Sequence, residues 1–455
     1  MSADLVARLA ALTPEQRALI RQRIPQVPRT QSQLTPGQRR LWEAHRWVGD
    51  RPVDVVCQVV RLTGAPVGLD LLAERVLGFV QAHEALRTTF ESDGEGTGDG
   101  VRPVVRPRLP PRVVRTRCAG ADEAHALARE LAAEPFDLAN GPLLRVALAE
   151  GTATGGGPEP DGADGAWLLV VVHNLVFDAW SFELLLDELA RTADTGPVAA
   201  PPFSGFAHEQ RRLLESAAGR AAAAYWKAEV AGAPPPLPTD RPRGSGTGRS
   251  GARVEFTLPR AVADGIAAAA QREAATAYTG WLAVAWAALA EYGGRDDVLL
   301  GTFTAGRDRP GTTDVVGYLL NVLPVRLRDA GDGSHAARTR AARTATRAGL
   351  AHAAHPGELI AEERRVPGTH PLLDAVFVFD NLGEGGREIQ GARAVTEDLD
   401  KGTARYDLTL AVYPGPDGAR GWLEYDTELY EAPTARRIAE RFTALAEKAA
   451  EGGHG

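Results

Sequence analysis

The sequence WLLVVVHNLVFDAWSFELLLDELA, residues 167–190, contains the pattern that decides both the fold and the candidate site. Its first part is almost continuously apolar, as expected for a strand that is buried on both faces. From Ser181 onward, apolar residues recur at helical spacing, which predicts an amphipathic helix. Between strand and helix lie three polar residues, His173, Asn174 and Asp178, and their place in so apolar a unit requires a physical reason.

The composition predicts a large globular protein. The chain has 455 residues, of which 44% are hydrophobic and 24% are charged, and this length favours about two to three domains. The net charge of -8 and the lack of a Lys/Arg-rich run argue against a nucleic-acid partner. The sequence has no apolar run of about 18 residues and no secretory signal at its start. We therefore expect a cytoplasmic protein without nucleic-acid or membrane partners.

Cysteine and lysine are both scarce in the sequence. Cys57 and Cys118 are the only cysteines, and no histidines have the spacing of a ligand set, so we predict neither a disulfide framework nor a metal site. Lys227, Lys401 and Lys448 are the only lysines among 51 basic residues. This bias indicates a GC-rich bacterial genome, with an actinobacterial origin as the expectation, and it says nothing about mechanism.

Strand and helix patterns are mixed along the whole chain. This mixture predicts an α/β class of fold, with α+β sandwich lobes. We expect an N-terminal helical linker or docking segment at residues 1–26 and an N-terminal lobe at 27–200, which contains the stretch quoted above. A C-terminal lobe is expected at 201–455, because the Pro/Gly-rich region near 195–250 is typical of a domain boundary.

Six motifs follow one another along nearly the whole chain. They are LTPGQRRLW (34–42), HEALRTTF (83–90), HNLVFDAWS (173–181), YWKAEVAGAPPPLPTDRPR (225–243), VVGYLLNVLPVR (315–326), and a sixth formed by the late strands HPLLDAVFVFDN (370–381) and YDLTL (406–410). In this order they resemble the motifs of the condensation domains of nonribosomal peptide synthetases. The third is similar to the family pattern HHxxxDGxS, and the fifth is similar to GxFVNTxxxR.

The resemblance implies a fold, a reaction and a set of partners. The fold would be two chloramphenicol-acetyltransferase-like lobes in a V with a central tunnel. One peptidyl or aryl carrier protein would deliver an acyl thioester on its phosphopantetheine arm, and a second carrier would deliver the amine that attacks it. The chain itself would bind no cofactor. The setting would be secondary metabolism such as antibiotic biosynthesis, with an adenylation domain as a further partner C-terminal in the same polypeptide.

One departure from the family pattern bears on the chemistry. Asn174 stands where the family has its second histidine, and Ala179 stands where the family has glycine. A neutral imidazole accepts a proton near pH 7, whereas an asparagine amide only forms hydrogen bonds. His173 is not an obvious substitute, because adjacent side chains at a strand end point to opposite faces.

We therefore predict a structural role for His173 and a direct active-site role for Asn174, which would orient the amine or the thioester. A vestigial Asn174 and direct proton transfer by His173 stay open as the alternatives.

The other motif residues are expected to shape the site rather than to react. The resemblance implies that Arg87 and Asp178 form a buried ion pair that holds the loop. Trp180 and Ser181 are expected to serve as packing and as a helix cap. Gly317 and Asn321 are expected to shape a loop of the second lobe that faces the tunnel. The full set is Arg87, Asp178, Ala179, Trp180, Ser181, Gly317 and Asn321.

Three functions stay open at this point. The first is amide formation by positioning, since good orientation contributes roughly 7–11 kcal/mol and loss of a general base costs about 10²–10⁴-fold in rate. The second is a catalytically silent domain that recruits a tailoring enzyme or a carrier protein. The third is a standalone enzyme that forms an ester with a free alcohol. Turnover with purified carriers separates the first from the second, and a hydroxyl acceptor tests the third.

Overall fold

The structure is a computed structural model of the chain, which divides into two compact units. Unit 1 comprises Met1–Leu213, Ala305–Leu320 and Gly383–Lys401, and unit 2 comprises the remaining segments. The predicted N-terminal segment 1–26 lies outside the described residues. The structure describes residues 33–49, 51–92, 100–151, 165–191, 200–243, 249–328, 331–360, 373–379 and 387–452.

Within these ranges the chain forms ten α-helices and fourteen β-strands. The helices are α1 (Pro36–Val48), α2 (Leu69–Ala82), α3 (Ala121–Ala133), α4 (Ala179–Ala190), α5 (Phe203–Glu215), α6 (Ala217–Glu229), α7 (Arg260–Arg272), α8 (Ala277–Gly293), α9 (His335–Ala351) and α10 (Ala432–Glu451). The strands are β1 (Val55–Thr63), β2 (Thr88–Ser92), β3 (Val101–Val105), β4 (Arg112–Cys118), β5 (Leu144–Gly151), β6 (Ala166–His173), β7 (Gly251–Pro259), β8 (Val298–Thr304), β9 (Asn321–Leu327), β10 (Ala375–Phe379), β11 (Glu388–Ile389), β12 (Ala392–Asp398), β13 (Leu408–Gly415) and β14 (Gly418–Asp426).

Unit 1 is built on a sheet with the strand order β11-β12-β1-β6-β5-β4 in the described ranges. Strand β6 lies inside this sheet, antiparallel to β1 on one side and to β5 on the other. All eight of its residues are buried. The continuous apolar run at the start of the quoted stretch therefore forms the expected strand, because both faces of the sheet are covered there.

Unit 2 contains a second sheet, with the described strand order β7-β14-β13-β10-β8-β9. Strand β10 is parallel to both of its neighbours, and the other pairings are antiparallel. The apolar helix α8 packs against α7, α9 and α10, and its Trp281 and Trp286 are fully buried together with Phe442 of α10. The predicted α/β class is thus confirmed in both units.

The two units divide the chain differently from the predicted boundary between residues 200 and 201. Unit 1 continues to Leu213, and two later segments return to it. The first segment places Val316 and Leu319 in the core of unit 1. The second places β12 beside β1, with Gln58 opposite Asp398. Composition detects linkers, but it does not detect a strand that a distant part of the chain supplies. The V arrangement and the tunnel stay predictions.

No helix in the described part of the chain combines the length and the apolar character that crossing a bilayer requires. Cys57 and Cys118 are both buried, and they do not form a disulfide bond with one another. Burial raises the pKa of the Cys57 thiol to about 11, so this side chain behaves as a small apolar residue rather than as a nucleophile.

Candidate functional site

The junction between β6 and α4 has a defined local geometry. Strand β6 ends at His173, a single 3₁₀ turn spans Asn174–Val176, and α4 follows with Asp178 as its N-cap. An oxygen of Asp178 accepts the Ser181 backbone N–H at 2.9 Å, which satisfies a donor that the helix leaves unpaired. The cap is therefore Asp178 rather than Trp180 or Ser181 as predicted, and aspartate is among the most favoured N-cap residues.

His173 is buried, with 2% of its surface exposed. Its Nδ1 accepts a hydrogen bond from the Leu175 backbone N–H at 3.1 Å. The ring meets Phe136 edge-on at 5.9 Å and His45 at 5.6 Å between ring centroids, and all three rings line one cavity. Because Nδ1 is engaged as an acceptor, it is not available to take a proton unless the turn opens.

Asn174 has a different environment from its neighbour. It is half-buried, and it does not line the cavity beside His173. Its backbone oxygen accepts the Phe177 N–H at 3.2 Å, which closes the turn. Its side-chain Oδ1 is buried and has no hydrogen-bond partner within the described residues. A buried carbonyl oxygen without a donor costs about 1–3 kcal/mol, so a donor brought within reach of this atom would be bound favourably.

The turn is also attached to the first helix of unit 1. Gln38, in the first turn of α1, donates from Nε2 to the Leu175 carbonyl oxygen at 2.9 Å. Gln38 and Thr35 together form a capping box, with bonds of 3.1 and 3.2 Å between each side chain and the other residue's backbone N–H. Gln38 was not among the predicted site residues, although the pattern Thr-x-x-Gln before a helix was a readable signal.

The predicted ion pair between Arg87 and Asp178 is wrong. Asp178 is instead paired with Arg307, whose two Nη atoms donate to its carboxylate at 2.8 and 3.0 Å. Both side chains are buried, with exposures of 0% and 1%. Arg87 donates to the backbone oxygens of Arg106 and Pro107. It therefore anchors the chain that follows β3 rather than the loop before α4.

Arg307 lies in the segment that returns to unit 1, and it was not predicted as a site residue. Besides Asp178, its guanidinium donates to the carbonyl oxygens of Ala305 and Val315, both at 2.9 Å. Asp178 also accepts the backbone N–H of Leu319 at 3.0 Å. The pair thus fastens this segment to the start of α4. The one sign of Arg307 in the sequence was its position closely after the apolar strand β8.

Ser181 and Gly317 are in direct contact inside unit 1. The Ser181 hydroxyl donates to the Asp178 carboxylate at 2.8 Å and accepts the Gly317 N–H at 3.0 Å. Gly317 has φ +150°, and a Cβ atom there would lie 2.1 Å from Cδ2 of Phe203, so this position requires glycine. Gly317 was expected in the second lobe, and this is corrected because its segment packs in unit 1.

Two further residues of the motif lie near the start of α4. Trp180 donates from its indole nitrogen to the Thr313 oxygen at 2.9 Å, which adds another tie to the returning segment. Ala179 is the first residue of the helix and is exposed. A helical backbone accommodates alanine without strain, so the replacement of the family glycine leaves this turn intact.

Asn321 belongs to unit 2, at the first residue of β9. Its Nδ2 donates to the carbonyl oxygens of Ala353 and His355 at 2.7 and 3.0 Å, and its Oδ1 accepts the Gly357 N–H at 2.7 Å. These three bonds fix the loop that follows α9 against the sheet. The predicted role of Asn321 in shaping a loop that faces a tunnel stays a prediction.

His83 and Glu84 follow α2 in the second motif. The Glu84 carboxylate accepts the backbone N–H and the hydroxyl of Ser204 at 2.9 and 3.0 Å, which holds the start of α5. The His83 ring lies on Phe79, 4.1 Å between centroids. Burial lowers the pKa of His83 to about 4, with a smaller opposing effect from Asp314, so this imidazole is neutral at pH 7.

The described residues contain no group of three or more His, Cys, Asp and Glu side chains that could hold a metal ion. What unit 1 brings together is a buried network around the turn that carries Asn174. His173, Gln38 and the pair of Asp178 with Arg307 all hold backbone groups, and Asn174 is the member whose side-chain oxygen has no partner within these residues.

Comparison with known sequences identifies the family. The sequence model described as the condensation domain matches residues 29–455. The chain is 32% identical over 484 aligned residues to phosphinothricin tripeptide synthetase PhsC from Streptomyces viridochromogenes, which covers 98% of this chain and 43% of that protein. It is 29% identical over 444 residues to one of the linear gramicidin synthase proteins from Brevibacillus parabrevis, which covers 93% of this chain and 8% of that protein.

The chain thus spans less than half the length of these curated relatives. Because the relatives come from such different bacteria and also from the fungus Mortierella alpina, the actinobacterial origin of the chain stays a prediction.

Solved structures show the same fold. The X-domain from teicoplanin biosynthesis superposes with a TM-score of 0.78 at 22% identity, covering 94% of this chain and 97% of that one. The first condensation domain of the CDA synthetase gives a TM-score of 0.76 at 20% identity, covering 93% and 97%. Because the family's sequence model matches residues 29–455 and a solved condensation domain has the same fold over 93% of the chain, this protein belongs to the condensation domain family.

Proposed function

We propose that this condensation domain forms an amide bond between two carrier-bound substrates in nonribosomal peptide synthesis. The donor is an acyl or aminoacyl thioester, and the acceptor is an amine on a second carrier. Both would arrive on phosphopantetheine arms, so the chain needs no cofactor of its own. Membership of the family supports this proposal, as do relatives that are named as tripeptide and gramicidin synthetases. An adenylation domain in the same polypeptide is part of the proposal.

The buried Oδ1 of Asn174, which lacks a partner among the described residues, carries the mechanistic part of the proposal. An amide oxygen in this position accepts a hydrogen bond from an N–H of the attacking amine, which aims the lone pair of the amine at the thioester carbon. Attack forms the C–N bond, and collapse of the tetrahedral intermediate breaks the C–S bond. The departing thiolate takes the proton that the amine nitrogen loses, so the step balances without a protein base.

His173 supports the turn in this proposal and does not transfer protons. Its Nδ1 accepts the Leu175 N–H, and the ring is buried against Phe136. A proton on Nδ1 would turn this acceptor into a donor. It would then face the Leu175 N–H, which is also a donor, and the turn that carries Asn174 would open. The rate would then depend mainly on orientation, which contributes roughly 7–11 kcal/mol in well-aligned intramolecular reactions.

The test is product formation on the acceptor carrier, measured by mass spectrometry of the intact carrier over a range of pH. Asn174→Ala removes one hydrogen bond of about 0.5–1.5 kcal/mol and should slow the reaction roughly tenfold or less. Asn174→His should keep or raise the rate, and His173→Ala should reduce stability more than turnover. Asn140→Ala, an exposed asparagine of the same unit, is the matched control.

Three results would contradict this proposal. A loss of about a thousandfold in Asn174→Ala with the fold intact would mean that positioning is not the main contribution. No product from the parent protein with any cognate carrier pair would favour a silent recruiting domain, and product with a hydroxyl acceptor alone would favour ester formation. Carriers without the phosphopantetheine arm should give no turnover.

Cytoplasmic residence, and the lack of nucleic-acid and membrane partners, stay predictions.

A further inference from the structure

The backbone N–H and the carbonyl oxygen of Leu175 are both held by side chains rather than by other backbone groups. The N–H of Leu175 donates to Nδ1 of His173 at 3.1 Å, and its carbonyl oxygen accepts from Nε2 of Gln38 at 2.9 Å. All three residues are buried, with exposures of 0–3%. Water therefore does not replace either bond, and loss of one would leave a buried polar group unpaired.

A three-residue 3₁₀ turn has little backbone stabilisation of its own. The backbone bond that closes this turn runs from the Phe177 N–H to the Asn174 oxygen at 3.2 Å. The direction of the Asn174 side chain depends on the rotation of the peptide that joins it to Leu175. The His173 bond holds this peptide directly, through the Leu175 N–H. The Gln38 bond holds the next peptide of the same turn, Leu175–Val176, through the carbonyl oxygen of Leu175.

Gln38 has no need of the Leu175 contact to stabilise its own helix. Helix α1 already has the Thr35 cap, and its Leu41 is fully buried in the core of unit 1. The second contact spans 137 residues of sequence. A side chain whose oxygen completes a helix cap and whose nitrogen holds the candidate site has two separable roles.

We propose that Gln38 is a positioning residue for the condensation reaction, which sets the orientation of Asn174 through the carbonyl group of Leu175. This inference rests on the proposed function, since it assumes that Asn174 faces the reacting groups. Gln38 itself touches neither substrate. Its effect should appear in the turnover number rather than in the affinity for either carrier, because a loosened turn misaligns bound reactants without changing the surfaces that bind them.

The activity test compares Gln38→Met with Thr35→Ala. Gln38→Met keeps the length of the side chain but loses the donor to Leu175, and kcat should fall roughly three- to tenfold with KM for the acceptor carrier within about twofold. Thr35→Ala loses the cap but keeps the Leu175 contact, so it should lower the melting temperature and leave kcat within about twofold. In an Asn174→Ala background, Gln38→Met should change kcat by less than about twofold.

A spectroscopic test needs no activity. The chain has four asparagines, so selective ¹⁵N-asparagine labelling gives four side-chain amide signals, and Asn174→Ala identifies one of them. Gln38→Met should shift or broaden the Asn174 signal and leave those of Asn140 and Asn321 in place. Thr35→Ala should leave all four in place. If Gln38→Met does not fold, Gln38→Glu at pH about 8.5 keeps the cap acceptor while its ionised carboxylate has no hydrogen for Leu175.

The outcomes are distinct. An unchanged Asn174 signal in a folded Gln38 variant overturns the inference, and so does an equal change in Thr35→Ala, which would trace the effect to the helix cap. The inference is also overturned if Gln38→Met lowers kcat as much in the Asn174→Ala background as it does in the parent protein. A parent protein that makes no amide defeats the proposed function alone, because the asparagine signals still decide whether Gln38 orients Asn174.

Discussion

The buried pair of Asp178 with Arg307 gives the sharpest prediction for unit 1. Replacing either residue alone leaves one ionised group in a site with side-chain exposures of 0% and 1%. Asp178→Asn leaves the guanidinium with neutral acceptors only, and Arg307→Met leaves the carboxylate with neutral donors only. Breaking such a pair costs about 3–5 kcal/mol, a large part of the roughly 5–15 kcal/mol that stabilises a domain.

The double variant should be less unstable than the sum of the two single changes. No ionised group then remains buried, so we expect a coupling free energy of about 2–3 kcal/mol between Asp178 and Arg307. The assay is urea denaturation followed by circular dichroism, with hydrogen exchange in peptides of α4 as a local measure of unit 1. The control cycle pairs Asp178→Asn with Arg87→Met and should be additive within about 0.5 kcal/mol.

Two results would refute this reasoning. Additive costs for the changes at Asp178 and Arg307 would mean that the pair does not stabilise the folded state as an ion pair. Coupling above about 1 kcal/mol between Asp178 and Arg87 would restore the pairing that the family resemblance implied, against the distances found in the structure. Both cycles share the Asp178 variant, so a general loss of stability from that change cancels in the comparison.

Three further changes test other parts of the fold. Gly317→Ala would place a Cβ atom 2.1 Å from the ring of Phe203 and should lower the free energy of unfolding by about 1–3 kcal/mol, whereas Gly78→Ala, with nothing within 4 Å, should be neutral or stabilising. Equal urea midpoints for both variants would contradict this. Asn321→Leu loses three hydrogen bonds and should speed hydrogen exchange in the loop after α9. Unchanged exchange would mean that these bonds do not hold the loop. Burial lowers the pKa of His83 from 6.5 to about 4, so between these values the unfolded chain binds a proton that the folded chain does not. Stability should therefore fall as pH drops from 6.5 to 4, by at most about 3 kcal/mol, and His83→Gln should flatten this fall in urea midpoints. An equally steep fall in the variant would assign the acid sensitivity to other groups.

The central strand and the helix after it were predictable because their apolar patterns depend on local sequence. The run that ends at His173 is buried at every position of β6, and the helix from Ser181 buries the expected face. The turn between them was predictable as a site because polar residues at the end of a buried strand need partners.

The partners themselves were not predictable. Asp178 meets Arg307 across 129 residues, and Gln38 meets Leu175 across 137. Such contacts depend on how elements pack, and the local pattern around either residue is the same with or without them. The resemblance supplied an arginine for Asp178, but a motif records residue types in order along the chain and not the distances between them.

The pairing of β12 with β1 determines when unit 1 can be completed during synthesis. Gln58 and Asp398 contact one another across 340 positions. At about 5–20 residues per second, roughly 20–70 s pass on the ribosome between the two strands. Until β12 emerges, the apolar strand β1 forms an open edge beside β6, and such an edge is the part of a sheet most prone to pair with another chain. We therefore expect β1 to be the part of the nascent unit 1 that is most exposed to pairing with another chain during that interval.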